Sequence, residues 1–473
     1  MRSGFRHTWG ASLTNRNLND TSPPQVVAYR PKGAIVIATE TSPTSGLNLY
    51  APRYPLFDRR HLHHFRRGHA PGQLIIQYTD RCNASCAQCG MRKENEFERA
   101  TASLDDVKRL LDSAISRGIE AVSFTGGEPF MYMNDIFEGV RYAKSLGFRY
   151  LRTGTNGFMF MGHHRPSFRD KMHRLGDQLA NSGLHNFWIS IDSADIGVHE
   201  RNRGLPGVID GIAKALPILH EHGFYPSANL GINRYLGSAD APPTSTSGFD
   251  ADAFYGHFRE SFRHFYRFVN DLGFTIVNAC YPMSFDDAAT HSVYTATSED
   301  NFVNFREDEK LQLFRAMFDT IPEFRHQLRV FTPLCSLHAL IRNYAGEPDA
   351  GYACRGGIDF FFVDAKDMQT YPCGFRGDES MGKFWDLDTD QIDHTPWCRQ
   401  CDWECFRDPS EMMGPILDLF NHPTRIAKQF WDDRAYAKIW YQDVRYYQAC
   451  NFFNAQLPPD YKKLARFAMA PRS

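Results

Sequence analysis

Cys82, Cys86 and Cys89 stand in the string CNASCAQC directly after an apolar strand, and their type and spacing are the strongest chemical signal in the chain. Three thiolates spaced C-x3-C-x2-C can bind three irons of a cubane iron–sulfur cluster and leave the fourth iron without a protein ligand. A cluster that only passes electrons normally carries a cysteine on every iron, so an open iron implies that something else binds there. A zinc knuckle uses similar donors but needs a fourth local Cys or His, and none lies nearby. One helix and one strand downstream stands Gly126-Gly127-Glu128-Pro129. Its glycines allow close backbone approach without a Cβ clash, and Glu128 can accept from a cationic amine. Further strand ends carry Thr155-Asn156-Gly157 and Ser190-Ile191-Asp192, with His199 and Arg203-Gly204 on the next segment; each alone could also be a turn former or a helix cap. The C-terminal region adds Cys335, Cys354, Cys373, Cys398, Cys401 and Cys405, and the C-x2-C-x3-C group among them also suits zinc. Cys280 reads as a buried structural thiol or as a hydrogen-atom donor to the cavity, and Cys450 carries no assigned role.

The C-x3-C-x2-C loop followed by GGEP resembles the radical S-adenosylmethionine (SAM) enzymes. That resemblance implies a [4Fe–4S] cluster on Cys82, Cys86 and Cys89, with SAM chelating the open iron and cleaved by one electron to a 5′-deoxyadenosyl radical. It also implies that Gly126, Gly127, Glu128 and Pro129 hold the methionine amino group, and that Asn156, Ser190, Asp192 and Arg203 contact the ribose and carboxylate. Relatives often place an aromatic residue before the third cysteine, where this chain has Gln88, so the adenine contact is expected to differ. The spacing of Cys354, Cys373, Cys398, Cys401 and Cys405 resembles the auxiliary-cluster extension called SPASM, or its shorter twitch form. This implies one auxiliary [4Fe–4S] cluster on Cys354, Cys373 and two of the last three cysteines. Cys335 is a further candidate ligand, and a second auxiliary cluster stays open.

The elements that must position these residues alternate. Leu74–Tyr78 reads as a strand, Ser103-Leu104-Asp105-Asp106 as a capping box opening a helix, and Ala121–Thr125 as the second strand. Helix Asn134–Leu146, strand Tyr150–Thr153, a helix over 167–181, strand Asn186–Ile191, helix Val208–His222, strand Ser227–Ile232, helix Ala251–Leu272 and strand Phe274–Cys280 complete six β/α units. Such alternation predicts an α/β fold with a parallel sheet and its chemistry at the C-terminal strand ends. The resemblance adds the shape, a (β/α)6 partial TIM barrel with a small C-terminal Fe–S auxiliary domain. The expected organisation is an N-terminal extension over 1–70, the core over 71–290, a mostly helical connection over 291–346, the auxiliary region over 347–407 and a helical tail over 408–473. Strand candidates Gln25–Tyr29 and Ala34–Ala38 fall in the extension, and the aromatic stripe of the 251–272 helix reads as core.

Formal net charge is −2, giving no electrostatic case for nucleic acid, and no stretch approaches the ~20 apolar residues of a membrane span. The basic run Arg59–Arg67 reads as a solvated surface. Eleven cysteines without an apolar N-terminal signal region point to a reducing cytoplasm. The functional expectation is hydrogen-atom abstraction in an oxidative or bond-forming modification of a peptide, with flavodoxin or ferredoxin as reductant. Oxidation of a small molecule or a tetrapyrrole is the alternative within the same chemistry. A non-catalytic Fe–S electron carrier or scaffold is the alternative of another class.

Overall fold

The computed structural model describes residues 61–89, 98–240, 242, 248–282, 292–294, 301–347, 349–388 and 391–469. A short helix α1 (His61–Arg66) leads into β1 (Gly72–Thr79), and the β/α alternation begins there. It continues as α2 (Leu104–Ser116), β2 (Ile119–Gly126), α3 (Met133–Leu146), β3 (Tyr150–Thr155), α4 (Phe168–Ser182), β4 (Asn186–Ser190), α5 (Ile196–Arg203), α6 (Val208–Glu221), β5 (Ser227–Gly231), α7 (Ala251–Leu272) and β6 (Ile276–Cys280). The chain then adds α8 (Glu307–Phe324), β7 (Arg329–Val330), α9 (Leu334–Tyr344), β8 (Phe360–Val363) and β9 (Thr370–Tyr371). Four helices close it: α10 (Glu404–Asn421), α11 (Pro423–Asp432), α12 (Arg434–Ala449) and α13 (Tyr461–Leu464).

The nine strands form one open sheet in the order β7-β6-β5-β4-β3-β2-β1-β8-β9, parallel throughout except for the β8–β9 hairpin. Its first six strands are an α/β partial barrel. The reason is legible strand by strand: β1 is buried along its whole length, as a strand between two neighbours with a covered outer face must be. Ser103 caps α2 by accepting from the Asp106 N–H at 3.0 Å. The aromatic stripe of α7 is core, with Phe254, Phe258, Phe262, Phe265 and Tyr266 all buried.

Three features go beyond the sequence reading or correct it. The 291–346 segment contributes a strand as well as helices, since β7 extends the sheet beside β6. The β8–β9 hairpin, followed by Cys373, joins the main sheet: β8 pairs in parallel with β1, Gln73 opposite Phe360 through Ile76 opposite Val363. The basic run is only partly solvated, because α1 tucks His61 and Phe65 inward and His61 meets Glu120 at 2.7 Å, while Arg66 and Arg67 stay exposed. Arg59 and Arg60 and the strand candidates at 25–29 and 34–38 lie outside the described residues.

The tail closes the N-terminal ends of the strands. The Ala455 N–H donates to His185 O at 2.8 Å, the Tyr225 N–H to Ala455 O at 2.7 Å, and His185 Nε2 meets Phe452 O at 2.7 Å. Arg329, fully buried, donates to Asn454 O and Leu457 O at 3.0 Å each and to Thr275 Oγ1 at 2.7 Å. No helix among the described residues is long and apolar enough to cross a membrane.

Candidate active site: a cysteine loop above a polar lumen

Cys82, Cys86 and Cys89 occupy the loop that leaves the C-terminal end of β1, as their position after an apolar strand predicts. The three thiols are electrostatic neighbours, and burial pushes the Cys86 thiol up to about 12. Burial also raises Cys82, against a lowering by the N–H of Ala84 and the amide of Asn156. Cys86 is buried and Cys82 and Cys89 are half-buried, and Arg203 is the cation that favours the ionised form of Cys82 and Cys86; such a group suits a metal centre, which would hold the thiols as thiolates. Among the described residues, no three His, Cys, Asp or Glu side chains close to the spacing of a single metal ion.

The loop is fixed from two sides. On one, the Gly127 N–H donates to Thr79 O at 2.7 Å and the Glu128 N–H to Arg81 O at 2.9 Å, joining the end of β2 to the loop backbone. Glycine is required at both positions: a Cβ on Gly126 would sit 2.3 Å from Thr79 O, and one on Gly127 2.3 Å from Arg81 O. On the other side, the Ser85 N–H donates to Arg203 O at 3.2 Å and the Ala87 N–H to Asn202 Oδ1 at 3.1 Å.

Between these anchors lie the other candidate residues. Glu128 is buried, and its carboxylate accepts from the Phe130 N–H at 3.0 Å and the Asn156 N–H at 2.6 Å. Burial pushes its carboxyl up to about 7, opposed by those two N–H groups. Glu128 thus ties the ends of β2 and β3 together, a role the sequence did not disclose, while Pro129, itself buried, begins the turn that follows. The Asn156 amide reaches Cys82 Sγ at 3.8 Å and Asn83 Oδ1 at 2.8 Å. Asp192, after β4, takes Arg203 in a two-pronged pair, Nε at 2.7 Å and Nη2 at 2.6 Å. Burial opposes ionisation of Asp192, but the Arg203 guanidinium outweighs it and holds the carboxyl below its usual range. The Gln88 amide donates to the same Asp192 at 3.1 Å and accepts from Asn202 at 2.6 Å, so the polar residue before the third cysteine belongs to a polar network. His199 accepts from the Asp192 N–H at 3.0 Å, and its enclosed Nε2 has no hydrogen-bond partner among the described residues. Ser190 ends β4 opposite Asn229 of β5.

Below the loop, a cavity of about 130 Å³ fills the barrel lumen, lined by polar side chains such as Ser123, Arg152, Asn229 and Asn278 together with Cys280 and Cys405. Tyr294 is a lining residue that periodicity could not flag, because it lies in an irregular segment. Its phenol has Cys280, Cys89 and Cys405 as electrostatic neighbours, and its backbone is pinned to Gly374 O at 2.9 Å.

The C-terminal cysteines divide. Cys354, Cys373, Cys398 and Cys401 are mutual electrostatic neighbours, and the Cys354 N–H donates to Cys398 O at 2.8 Å. Burial pushes Cys354 up to about 11 and Cys373 to about 12, and the neighbouring thiols add to both. Cys405, one helical turn on, turns instead toward Glu404, Cys280 and Arg152. Cys335 sits elsewhere, buried with Tyr352, Met412, Tyr436 and Val444. The fourth and fifth cysteines of the group therefore separate by direction, a distinction that spacing could not make.

A profile of the Radical SAM superfamily matches residues 76–237. The AdoMet-dependent heme synthase of Oleidesulfovibrio alaskensis is 27% identical over 161 residues, 34% of this chain and 38% of that protein. The Fe-coproporphyrin III synthase of Methanosarcina barkeri is 30% identical over 178 residues, 37% of this chain and 40% of that one. The chain thus spans less than half the length of the curated relatives it matches. Among solved structures, Streptococcus suis SuiB bound to S-adenosylmethionine is similar with a TM-score of 0.47 and 17% identity, covering 70% of this chain and 68% of that one. Residues 76–237, which contain the cysteine loop, the GGEP turn and the Asp192–Arg203 pair, are thus the part of the chain that is similar to the Radical SAM superfamily.

Proposed function

We propose that this protein is an enzyme that reductively cleaves SAM and abstracts a hydrogen atom from a substrate held in the barrel lumen. The observation that supports this most directly is that the three thiols, the GGEP turn and the Asp192–Arg203 network gather at the C-terminal ends of the strands whose inner faces line the lumen cavity. Cys82, Cys86 and Cys89 would hold a [4Fe–4S] cluster. The turn Gly126-Gly127-Glu128-Pro129 would present the carbonyls beside Glu128 to the SAM amine. Asn156, Ser190, Asp192 and Arg203 would frame the rest of SAM, with Gln88 supplying a polar edge near the base. Cys354, Cys373, Cys398 and Cys401 fit a fully ligated second cluster, the SPASM- or twitch-like reading of the C-terminal region. When bound, these groups supply a 5′-deoxyadenosyl radical at the first site and an electron acceptor at the second. The chain's own part is to hold SAM, to keep water out of the lumen with Tyr294 and Trp403, and to orient the substrate.

A fully ligated second site favours net oxidation or bond formation. Within that chemistry a peptide is the substrate reading that follows from the C-terminal cysteines. A tetrapyrrole is the second reading, favoured by the names of the two sequence relatives, whose matches cover only about a third of this chain. Flavodoxin or ferredoxin fits as reductant. Anaerobic incubation with SAM and dithionite is expected to release 5′-deoxyadenosine; none from protein carrying its full iron would leave the chain an Fe–S carrier or scaffold.

A further inference from the structure

Arg152 is the one Lys or Arg that lines the lumen among the described residues, and it faces two chambers at once. Above it is the polar cavity of about 130 Å³ that reaches Tyr294 beneath the cysteine loop. Below it lies a second cavity of about 260 Å³, walled by Phe360, Met412, Met413, Ile416, Phe452 and Phe453. The two share Arg152, Asn186, Asn278, Phe331, Glu404 and Cys405, so they meet around Arg152. Arg152 makes no side-chain hydrogen bond or ion pair among the described residues, and its Nε is enclosed without a partner. Glu404 is close, yet it accepts from the Tyr281 N–H at 3.2 Å and the Cys405 thiol at 3.4 Å rather than from Arg152.

An enclosed guanidinium whose neighbouring carboxylate, Glu404, does not hydrogen-bond it is costly, and a planar two-pronged donor suits a carboxylate. An apolar cavity of about 150 Å³ already holds benzene, so the lower chamber has room for a larger apolar group. We infer that Arg152 anchors a carboxylate of the substrate and that the lower chamber takes an apolar arm beside it, leaving the reacting carbon in the upper chamber. The substrate class is then an acid with an apolar arm, chemistry that an acidic peptide side chain next to an apolar one and a tetrapyrrole propionate share. This assignment rests on the radical SAM reading, because that reading makes the upper chamber the reaction chamber.

The test is calorimetric titration of the anaerobic, cluster-loaded full chain with octanoate, octan-1-ol and octylamine. Octanoate should bind saturably, and the alcohol and amine at least tenfold more weakly. Arg152→Met should weaken octanoate by roughly tenfold to a hundredfold, the loss of a charged hydrogen bond, and Arg152→Lys should recover part of it. Because an unpaired buried charge weakens a fold, Arg152→Met should melt no lower than the parent. Met413→Trp, which fills the lower chamber and leaves the charge in place, should also weaken octanoate. No saturable octanoate binding, equal affinity for octan-1-ol, or unchanged affinity in Arg152→Met would overturn the assignment. Release of 5′-deoxyadenosine is read separately. Its absence with octanoate binding intact would remove the radical reading alone, and its presence with octanoate binding lost would remove the carboxylate anchor alone.

Discussion

Glu128 joins two demands that pull its proton in opposite directions. Burial pushes its carboxyl up to about 7, while the backbone N–H groups of Phe130 and Asn156 favour the charged form. Glu128→Gln can accept one of those N–H groups through its carbonyl and must face the other with an NH2 group. One buried donor is orphaned, at a cost of about 1–3 kcal/mol. Thermal melting should therefore fall, and SAM affinity with it, while iron content stays unchanged; an unaltered melting curve would show that the tie between β2 and β3 is dispensable. Asp192 is the second residue on which much hangs, because Arg203, Gln88 and Asn202 all meet it. Asp192→Asn breaks a buried ion pair, which costs about 3–5 kcal/mol when one partner is left behind. Iron at the first site should be lost while C-terminal iron is retained, a split that iron counting against a triple Cys82, Cys86, Cys89→Ala control can read. At this scale the cysteines and GGEP were legible because their chemistry lies in local spacing. The roles of Glu128 and Gln88 were not, since each depends on partners 28 or more positions away in sequence.

At the scale of elements, the six β/α units were legible because each helix shows a buried face at helical spacing and each strand a short apolar run. Two of the elements that escaped show why. Helix α5 has only eight residues and almost no amphipathic contrast, and is set by local caps instead: Asp195 accepts from the Val198 N–H at 2.8 Å, and Gly204 ends it at φ +67°. Strand β7 has two residues, too few for any period. The parallel pairing of β8 with β1 was also invisible, because it joins residues nearly three hundred positions apart. That pairing has a consequence. The hairpin bearing Cys373 leaves the same sheet as the cysteine loop, so the two cysteine groups share one rigid support. Cys354→Ala with Cys373→Ala should lower iron to the content of the first site and leave SAM cleavage intact, while Cys405→Ala should keep the iron of both groups. Loss of the C-terminal iron in Cys405→Ala would return that residue to the ligand set.

For the whole molecule, the tail acts as a floor under the barrel. His185 is its pin, buried between β4 and Phe452, and burial holds its imidazole down to about 4. A histidine whose folded pKa lies below its unfolded value near 6.5 supports the fold fully above that value. It loses this support as pH falls toward 4, by about 3 kcal/mol in total. The parent should therefore lose thermal stability between pH 6.5 and 4 more steeply than His185→Gln, and parallel curves would show that the pin does not titrate with unfolding. The sequence disclosed the helices of this tail from their pattern. Where it docks is set by backbone carbonyls near Phe452–Leu457, which no side-chain pattern encodes.

The central claim is that Cys82, Cys86 and Cys89 hold the cluster at which SAM is cleaved. The most direct measurement is 5′-deoxyadenosine released under dithionite by the parent and by the triple Ala variant, with iron counted in both. Release is expected from the parent and none from the variant, with C-terminal iron retained in the variant. Undiminished release from the variant would contradict the claim.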